Sequence, residues 1–474
     1  KNYPRQQHLT EDTKKKKASS LLQAHTHHRP QNSSVMTSCH RVEKQLRVEK
    51  CDWQEGSEHK KMRINCNIVV VVVLLQVFSF TIATKPGFPP SLKPGCLPKS
   101  ENNTDVFCPG NVKRNFFEFS RLFFLNTKYW TGDEGYGCYK IPTAMVTNNG
   151  TILAMIEARK YSCDDHGYID LRMKRSFNGG SAWSPSALIH GYSQDKGPWT
   201  SVGDGNFVQD PMDDTIYLLH TRNNSQLFLS RSNDDGSSFS EPVDVTSTLK
   251  FGGVGGWVGT GHAGGIVLSS GPKKGRLVIP TYTSLPYTVY SDDHGKSWNM
   301  GGGVPAEKYF HGASAGEWAV SETGSYTSDG TPILLANVRN SPNIPSGIVG
   351  KGYRLLSYSE DGGESWGPIR EAKDLPEPIR GCEGSMVYNP KTNKIYFSHP
   401  DPSLDLFRNY LTVWSSSDFG MTWTIHDRVW DSAAGYSSMV LMQDGDELGI
   451  FYDRNNHTMI VFEAQSVSWT TIKA

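Results

Sequence analysis

The chain has 474 residues, enough for several average domains or for one large repeat-built domain with appendages. Its 46 glycines, 12 tryptophans and 20 tyrosines favour many short strands and turns over helices. With 48 basic and 48 acidic residues the formal net charge is zero, so the overall charge favours neither a nucleic acid nor a membrane surface as partner. An anionic ligand would have to be held by a local cluster of cations.

The N-terminal part of the chain lacks the pattern of a folded domain. Residues 1–61 are basic, contain "HTHH" and show no apolar periodicity, so we expect a non-native upstream or disordered segment rather than a nucleic-acid tail or a metal site. Residues 62–83 have the parts of a signal peptide: a basic start, the apolar run "IVVVVVLLQVFSF" and small residues near Ala83. The alternative is a signal anchor with a basic cytosolic tail. A cleaved signal predicts a secreted or lysosomal protein with no membrane span left in the mature chain.

Cysteines and glycosylation sequons agree with export. Residues 84–114 form a Pro-rich segment in which we expect a disulfide between Cys96 and Cys108. Five cysteines follow Ala83, so at least one thiol is left free or intermolecular. Sequons fit the same route, each being a weak signal alone, and they stand at Asn102, Asn149, Asn223 and Asn456.

A short sequence recurs in the remaining part of the chain, residues 115–474. Its template is Ser-x-Asp-x-Gly-x-Ser/Thr-aromatic, and the copies are "SFNGGSAW", "SNDDGSSF", "SDDHGKSW", "SEDGGESW" and "SSDFGMTW". The first copy deviates with Asn178 and Ala182. In this template the aspartate accepts hydrogen bonds from following amides and the glycine supplies a positive φ, which together close a hairpin turn. We therefore assign structural rather than catalytic roles to Asp234, Asp293, Asp361 and Asp418.

The segments between the copies predict the fold. They contain β-branched and aromatic runs such as "TIYLLH", "GRLVIP" and "KIYFSH", separated by turn residues. This is the pattern of four short antiparallel strands per repeat, and a closed ring of such sheets is a β-propeller. We predict an all-β protein with six four-stranded blades, one of them without the recurring turn.

Several charged residues stand beside apolar strands, where a charge is costly unless it is paired. Cations at equivalent points of different blades would converge on the propeller axis and form an anion site, and the candidates are Lys140, Arg159, Arg339 and Arg408. For each of them alone, an ordinary surface salt bridge is the alternative. Asp164 and Asp165 lie in a loop between strands, while Glu317 and Tyr436 lie among small residues that leave room for a ligand.

Together these features resemble the sialidases (exo-α-neuraminidases). The resemblance rests on the repeated Asp boxes, on the basic residue before Ile141-Pro142, and on "EAR" followed by an aspartate and "RS" before the first box. It covers roughly residues 115 to 470 and is closest to the animal lysosomal-type and trypanosomatid enzymes. The resemblance implies a six-bladed propeller that hydrolyses terminal α-linked sialic acids from glycoproteins, glycolipids or oligosaccharides.

The resemblance also implies a role for each candidate. Arg339 and Arg408 match two arginines that bind the substrate carboxylate, and Lys140 stands where a third arginine is expected. Asp165 matches the acid/base catalyst, with Asp164 as the runner-up. Glu317 matches the glutamate that activates the nucleophile, and Tyr436 the nucleophile itself. The remaining matches are an auxiliary pocket arginine, Arg159; a carboxylate that braces the first cation, Asp453; and a pocket aspartate, Asp204.

The chemistry implied by this family needs neither a metal nor an organic cofactor, and its partners are sialylated glycoconjugates. A tyrosine nucleophile gives net retention through a tyrosyl-enzyme intermediate. Three alternatives remain: a sialic-acid-binding lectin weakened at Lys140, a trans-sialidase, and a non-enzymatic Asp-box propeller. The last predicts that the arginines and Tyr436 do not converge.

Overall fold

The computed structural model describes residues 103–107, 133–191, 201–249, 256–283, 285–305, 316–340, 352–454 and 466–474. The chain contacts divide at Pro86, and every described residue belongs to the unit Gly87–Ala474. The predicted signal peptide and the predicted Cys96–Cys108 disulfide lie outside the described residues. Within the described part, no helix has the length and hydropathy to cross a bilayer.

Short antiparallel strands dominate the fold. The first described strand is β1 (Asn103–Phe107), and a short 3-10 turn at Asp133–Gly135 precedes the first complete sheet. That sheet contains β2 (Cys138–Val146), β3 (Ile152–Arg159), β4 (Ile169–Ser176) and β5 (Ala187–His190). The second contains β6 (Val202–Gln209), β7 (Ile216–Arg222), β8 (Gln226–Ser232) and β9 (Val243–Asp244).

The third and fourth sheets repeat this order. The third contains β10 (Gly259–Thr260), β11 (Ile266–Val267), β12 (Leu277–Tyr282), β13 (Pro286–Ser291) and β14 (Asn299–Gly303), with both β10 and β11 paired to β12. The fourth contains β15 (Trp318–Tyr326), β16 (Pro332–Val338), β17 (Gly352–Ser359) and β18 (Arg370–Glu377).

The last sheet has seven strands and joins the two ends of the described chain. Its members are β19 (Ser385–Asn389), β20 (Lys394–Pro400), β21 (Asn409–Ser416), β22 (Thr424–Met442), β23 (Glu447–Arg454), β24 (Ser466–Lys473) and, at the far edge, β1. A 3-10 turn at Gln443–Gly445 links β22 to β23. The described strands thus form five sheets, whereas the sequence predicts six. The difference arises because the 19-residue strand β22 pairs with β21 along its first half and with β23 along its second.

The inner strands form a closed ring. β2 contacts β6, β6 contacts β10 and β12, β12 contacts β15, β15 contacts β19, and β19 contacts β22, which returns to β2. Apolar clusters fill the spaces between neighbouring sheets; for example, Trp318 and Trp366 pack edge to face with ring centroids 5.3 Å apart. This arrangement is the all-β propeller that the sequence predicts.

The recurring turns each link two consecutive strands: β4 to β5, β8 to β9, β13 to β14, β17 to β18 and β21 to β22. In the copy around Asp293, the carboxylate accepts hydrogen bonds from the backbone N–H (2.8 Å) and hydroxyl (2.6 Å) of Ser297 and from the Ser291 hydroxyl (2.9 Å). Gly295 has φ +72° there, which a residue without a side chain adopts at no steric cost. Asn178 replaces the aspartate in the first copy and accepts the Ala182 N–H at 2.9 Å.

Candidate active site

Hairpin geometry brings the predicted residues to one end of the ring. In an antiparallel pair, the start of the inner strand lies beside the end of the next strand. Lys140 at the start of β2 is therefore near Arg159, the last residue of β3, since Cys138 pairs with Arg159. By the same geometry, the Arg339 N–H donates to the carbonyl of Glu317 (3.0 Å), and the Ala434 N–H donates to the carbonyl of Arg408 (3.0 Å), close to Tyr436.

Three inner strands are irregular at their site residue. Register shifts occur between Lys140 and Thr143 in β2, between Gly203 and Asn206 in β6, and between Ala434 and Ser437 in β22. Ile141 (φ 60°) and Asp204 (φ 48°) adopt left-handed backbone conformations inside these shifts. Such bulges turn side chains away from the regular alternation of a strand. They explain how strands that are otherwise buried direct polar groups into a pocket.

Tyr436 lies at the centre of the site. Its hydroxyl donates to Glu317 Oε1 and accepts a hydrogen bond from Arg339 Nη1 at 2.8 Å, while Arg339 also forms an ion pair with Glu317. Burial raises the pKa of the Tyr436 hydroxyl well above its usual value, although Arg339 acts in the opposite direction. Burial also disfavours ionised Glu317, but the charges of Arg339 and His262 hold the pKa of its carboxyl below the usual value. The pair is therefore a protonated phenol beside an ionised carboxylate.

Two of the three predicted carboxylate-binding cations, Arg339 and Arg408, contact Tyr436, and the third, Lys140, is next to a residue that packs against it. The Arg408 guanidinium stacks over its ring, 5.4 Å from the centroid. Ile141, next to Lys140, packs in one buried cluster with Cys382 and Tyr436. The alternative of a non-enzymatic propeller predicts no such convergence, whereas Arg339 Nη1 lies 2.8 Å from the Tyr436 hydroxyl.

Lys140 is not a solvated surface charge. Its side chain is only 15% exposed, and its Nζ lies 4.0 Å from Asp165 Oδ1. Burial, followed by repulsion from the Arg159 guanidinium, lowers the pKa of Lys140 below its usual value. The predicted brace Asp453 is also buried and favours the charged lysine, but the ion pair that Lys140 forms within 4.0 Å among the described residues is with Asp165.

Asp165, rather than Asp164, faces the cations. Its carboxylate accepts a hydrogen bond from Arg159 Nη1 at 2.7 Å and remains 58% exposed. Although burial acts against ionisation, Arg159 and then Lys140 hold the pKa of Asp165 below its usual value. Asp164 instead accepts a hydrogen bond from the hydroxyl of Ser162 at 2.8 Å, in an exposed position.

A disulfide that the sequence analysis did not predict fixes this loop. Cys138 and Cys163 are bonded across a sequence separation of 25 residues. Each cysteine stands two positions before one member of the Lys140–Asp165 pair. Cys382 is the free thiol among the described residues, it is buried, and burial raises its pKa to about 12.

Arg159 is held by a second carboxylate that also supports Asp204. Glu157 Oε2 accepts hydrogen bonds from Arg159 Nε (3.0 Å) and Nη2 (2.7 Å), and Glu157 Oε1 accepts the Asp204 N–H at 2.8 Å. Burial, and then the charges of Glu157 and Glu317, raise the pKa of Asp204 well above its usual value. This environment favours the neutral carboxyl form of Asp204.

Asp453 contacts the backbone that carries Tyr436. It accepts hydrogen bonds from the N–H groups of Gly435 and Tyr436, and burial raises its pKa. A Cβ atom at Gly435 would lie 2.5 Å from Asp453 Oδ1, so only glycine permits this approach. Asp453 thus positions the tyrosine in addition to acting on Lys140.

Several site residues were not foreseen. The His262 ring packs 5.8 Å from that of Tyr436, and its Nε2 lies 3.3 Å from Asp204 Oδ1. The Tyr282 hydroxyl accepts a hydrogen bond from Trp257 Nε1 at 3.1 Å, and a Cβ at Gly259 would collide with the Tyr282 ring. The only sequence signal is "GTGHAGG", which has the small-residue surroundings that singled out Glu317. No three His, Cys, Asp or Glu side chains in the described ranges are arranged to hold a metal ion.

Comparisons with known proteins relate this sequence to sialidases. Residues 150–450 match the BNR repeat-like domain. The sialidase of Micromonospora viridifaciens is 28% identical over 358 residues, covering 68% of this chain and 50% of that protein. Human Sialidase-4 is 28% identical over 288 residues, covering 52% of this chain and 54% of that protein. The chain belongs to the sialidase family. It spans 50% and 61% of the length of the Micromonospora and Bacteroides fragilis sialidases.

Solved structures share the fold. The Hadza microbial sialidase Hz136 has a TM-score of 0.57 at 24% identity, covering 73% of this chain and 67% of that one. A leech intramolecular trans-sialidase has a TM-score of 0.59 at 17% identity, covering 75% of this chain and 70% of that one. At such identities the likeness supports the propeller fold, and it does not distinguish hydrolysis from transfer.

Proposed function

We propose that the protein is an exo-α-sialidase that hydrolyses terminal α-linked sialic acids from glycoconjugates with retention of configuration. The observation that carries the proposal is the contact among Tyr436, Glu317 and Arg339, in which a protonated phenol donates to an ionised carboxylate. The anomeric carbon of a sialoside bears a carboxylate, which would repel a carboxylate nucleophile. A neutral phenol whose proton passes to Glu317 avoids this repulsion.

The reaction follows from the protonation states. Tyr436 Oη bonds to the anomeric carbon as its proton moves to Glu317, while Asp165 protonates the departing glycosidic oxygen. Water then attacks the same carbon, gives a proton to Asp165, and the bond to Tyr436 breaks as Glu317 returns the proton. Two displacements give net retention; the tyrosine nucleophile of sialidases is a known exception among glycosidases.

Asp165 must be protonated to act first as an acid, yet its pKa is held low by Arg159 and Lys140. A substrate carboxylate bound at Lys140 would offset part of that positive charge and let the pKa of Asp165 rise. Substrate binding thereby prepares the acid catalyst.

Lys140 is expected to weaken the carboxylate clamp without abolishing catalysis. Lysine offers a single point charge, whereas arginine offers two parallel donors. The loss of one charge-assisted hydrogen bond costs roughly 1.5 to 3 kcal/mol, about 10- to 150-fold in affinity. Because Tyr436, Glu317 and Asp165 remain assembled, we favour an enzyme over a lectin.

We further propose that the propeller has six blades, with β22 counted in two of them, because its halves pair with different neighbours. Export through the secretory pathway, to a lysosomal or extracellular destination, is part of the same proposal. It is supported by the Cys138–Cys163 disulfide, since such bonds persist in oxidising compartments.

The proposal is tested with a fluorogenic α-sialoside and three forms of the secreted protein: native, Lys140→Arg and Tyr436→Phe. We expect measurable native turnover, a lower KM for Lys140→Arg, and near-abolition for Tyr436→Phe. Native protein that binds sialic acid without turning over the sialoside would establish the lectin alternative. Product analysis in the presence of lactose separates transfer from hydrolysis.

A further inference from the structure

The two arginines beside Tyr436, Arg339 and Arg408, donate hydrogen bonds to consecutive backbone carbonyl groups. Arg339 Nη2 donates to the carbonyl of Arg380 at 2.8 Å, while Arg408 Nε and Nη2 donate to the carbonyl of Gly381 at 3.2 and 2.9 Å. We call residues 380–382 the carbonyl segment. Arg380 (φ 66°) and Gly381 (φ 65°) are both in the left-handed region, so the segment is not held by local backbone preference alone.

A buried ion pair outside the site fixes this segment. Arg354 Nη1 donates to the carbonyl of Cys382 at 2.6 Å and to Glu377 Oε1 at 2.9 Å, and Glu377 Oε2 accepts the Cys382 N–H at 3.1 Å. Both side chains are fully buried. Glu377 Oε1 also accepts the N–H of Asn340 at 2.9 Å, immediately after Arg339.

The surrounding groups complete the pair. Arg354 donates to the Oδ1 (2.6 Å) and carbonyl (3.0 Å) of Asn337, and His399 Nε2 lies 3.1 Å from Glu377 Oε2. Although burial disfavours its charge, the Arg354 guanidinium and then His399 hold the pKa of Glu377 below its usual value. A buried ion pair is a weak source of stability, because its desolvation cost is large, so stability alone does not account for its presence.

We propose that Arg354 and Glu377 are positioning residues that orient Arg339 and Arg408 for substrate binding by fixing the carbonyl segment. This inference rests on the proposed function. Neutralising Glu377 leaves Arg354 with an unbalanced charge and weakens the bonds to Cys382 and Asn340. The carbonyl segment then shifts, and the two arginines lose their shared alignment towards the substrate carboxylate.

The test is a double-mutant cycle with a methylumbelliferyl α-sialoside, combining Glu377→Gln with Arg408→Lys. Glu377→Gln alone should raise KM about tenfold, the size expected for weakening one charge-assisted hydrogen bond, with a smaller change in kcat. In the Arg408→Lys background the same substitution should have a smaller effect, since only the alignment of Arg339 is then left to be lost. Arg276→Lys is the control, because Arg276 is a buried cation paired with the partly exposed Asp292 and Glu364 away from the site, and it should leave KM unchanged.

Thermal unfolding is measured for every form, and kinetics are taken well below each midpoint. If Glu377→Gln does not fold, Arg354→Lys replaces it in the cycle, because it keeps the buried positive charge but loses the guanidinium contacts to Glu377 and the Cys382 carbonyl. An unchanged KM, or equal effects in both backgrounds, would overturn the inference while native turnover leaves the proposed function standing. If native protein shows no turnover, affinities for an unsaturated sialic acid analogue complete the same cycle; absence of binding as well would overturn both proposals.

Discussion

Lys140 is the residue at which this chain departs most from the sialidase pattern. It is largely buried, and its neighbours include two cations, Arg159 and Arg408, as well as two carboxylates, Asp165 and Asp453. Lys140 therefore loses its proton at a lower pH than a solvated lysine does, whereas an arginine there would stay charged at every accessible pH. In its proposed role, Lys140 would change the pH range of substrate binding as well as its strength.

We predict that native kcat/KM falls on the alkaline side as Lys140 loses its proton. The lysine is charged below its pKa, and that pKa lies below its usual value, so binding of the substrate carboxylate declines as pH rises through it. In Lys140→Arg this decline should move to higher pH, which pH profiles of both forms will reveal. Superimposable alkaline limbs would show that Lys140 does not bind the carboxylate.

Asp165 and Asp164 provide a comparison within one loop. Asp165→Asn should lower kcat for sialyllactose by about 10²- to 10⁴-fold, the usual contribution of a general acid. The loss should be smaller for an aryl sialoside, because its leaving group needs less protonation. Asp164→Asn removes the neighbouring carboxylate, whose hydrogen-bond partner in the described part of the chain is Ser162. The kcat of this variant should be close to that of native protein. Equal losses in the two variants would remove Asp165 from its assigned role.

Site residues could be predicted from the sequence where a charged residue stood beside an apolar strand. Arg339 and Arg408 were found in this way, whereas Glu317 and Tyr436 were found by their small-residue surroundings, and the structure brings the four together. Glu157 was missed because a glutamate in a strand gives no indication that it bonds Arg159 and the Asp204 backbone at once. Such partners depend on which strands become neighbours, which local sequence does not specify.

At the scale of strands, the site depends on irregularity. β2, β6 and β22 each lose register next to a functional residue, so side chains that regular alternation would bury reach the pocket. The sequence predicted strands and hairpin turns from their composition. It could not predict the shifts, because Ile141 is a β-branched residue at positive φ, a conformation that its local preference opposes.

The Cys138–Cys163 disulfide links the strand of Lys140 to the loop of Asp165, so we predict that replacing both cysteines by serine lowers kcat more than it raises KM. Closing a loop of this length stabilises by about 3.5 kcal/mol in the chain-entropy description, so the midpoint of thermal unfolding should also fall.

A reductant provides the control for this prediction. It should slow the native protein and leave the double serine variant unchanged, which separates this bond from any other disulfide of the chain. A variant with native kcat would show that the loop holds Asp165 without the covalent link.

For the molecule as a whole, a half-buried and a buried histidine make stability depend on pH in the acid range. His190 and His220 stack with ring centroids 4.7 Å apart. Burial lowers the pKa of His190 to about 4 and that of His220 well below its usual value. The unfolded chain therefore binds more protons at these positions than the native state does, and their contribution to stability is lost as pH falls from 6.5 towards the folded pKa.

His190→Phe keeps the ring stack and removes the titrating group. Native protein should lose more unfolding free energy than this variant when the pH is lowered from 7 to 5. The difference between the two losses should be about 2 kcal/mol. Chemical denaturation of both forms at the two pH values measures the difference, and comparison between forms cancels the opposite contributions of buried acids such as Asp204 and Asp453. A pH-independent difference would mean that His190 titrates normally.

The global architecture was predictable to the level of a propeller, since the recurring turns set the number and spacing of hairpins. The division into sheets was not, because nothing in the sequence between Thr424 and Met442 marks where one strand should become two. Gly435, a residue type common in turns, does occur there, but it does not end the strand. Its lack of a side chain instead leaves room for the Asp453 carboxylate.

The pairing of β1 with β24 has a consequence for how the chain can be reconnected. Asn103 lies opposite Thr470, so the start of β1 and the end of β24 are adjacent. A short linker from Ala474 to Asn103 would turn this pair into an ordinary hairpin, and new termini could be opened between β1 and β2. In such a circular permutant the strands of the last sheet would be consecutive in the chain. Folding of that sheet would no longer require pairing between its last strand and the first strand of the described chain.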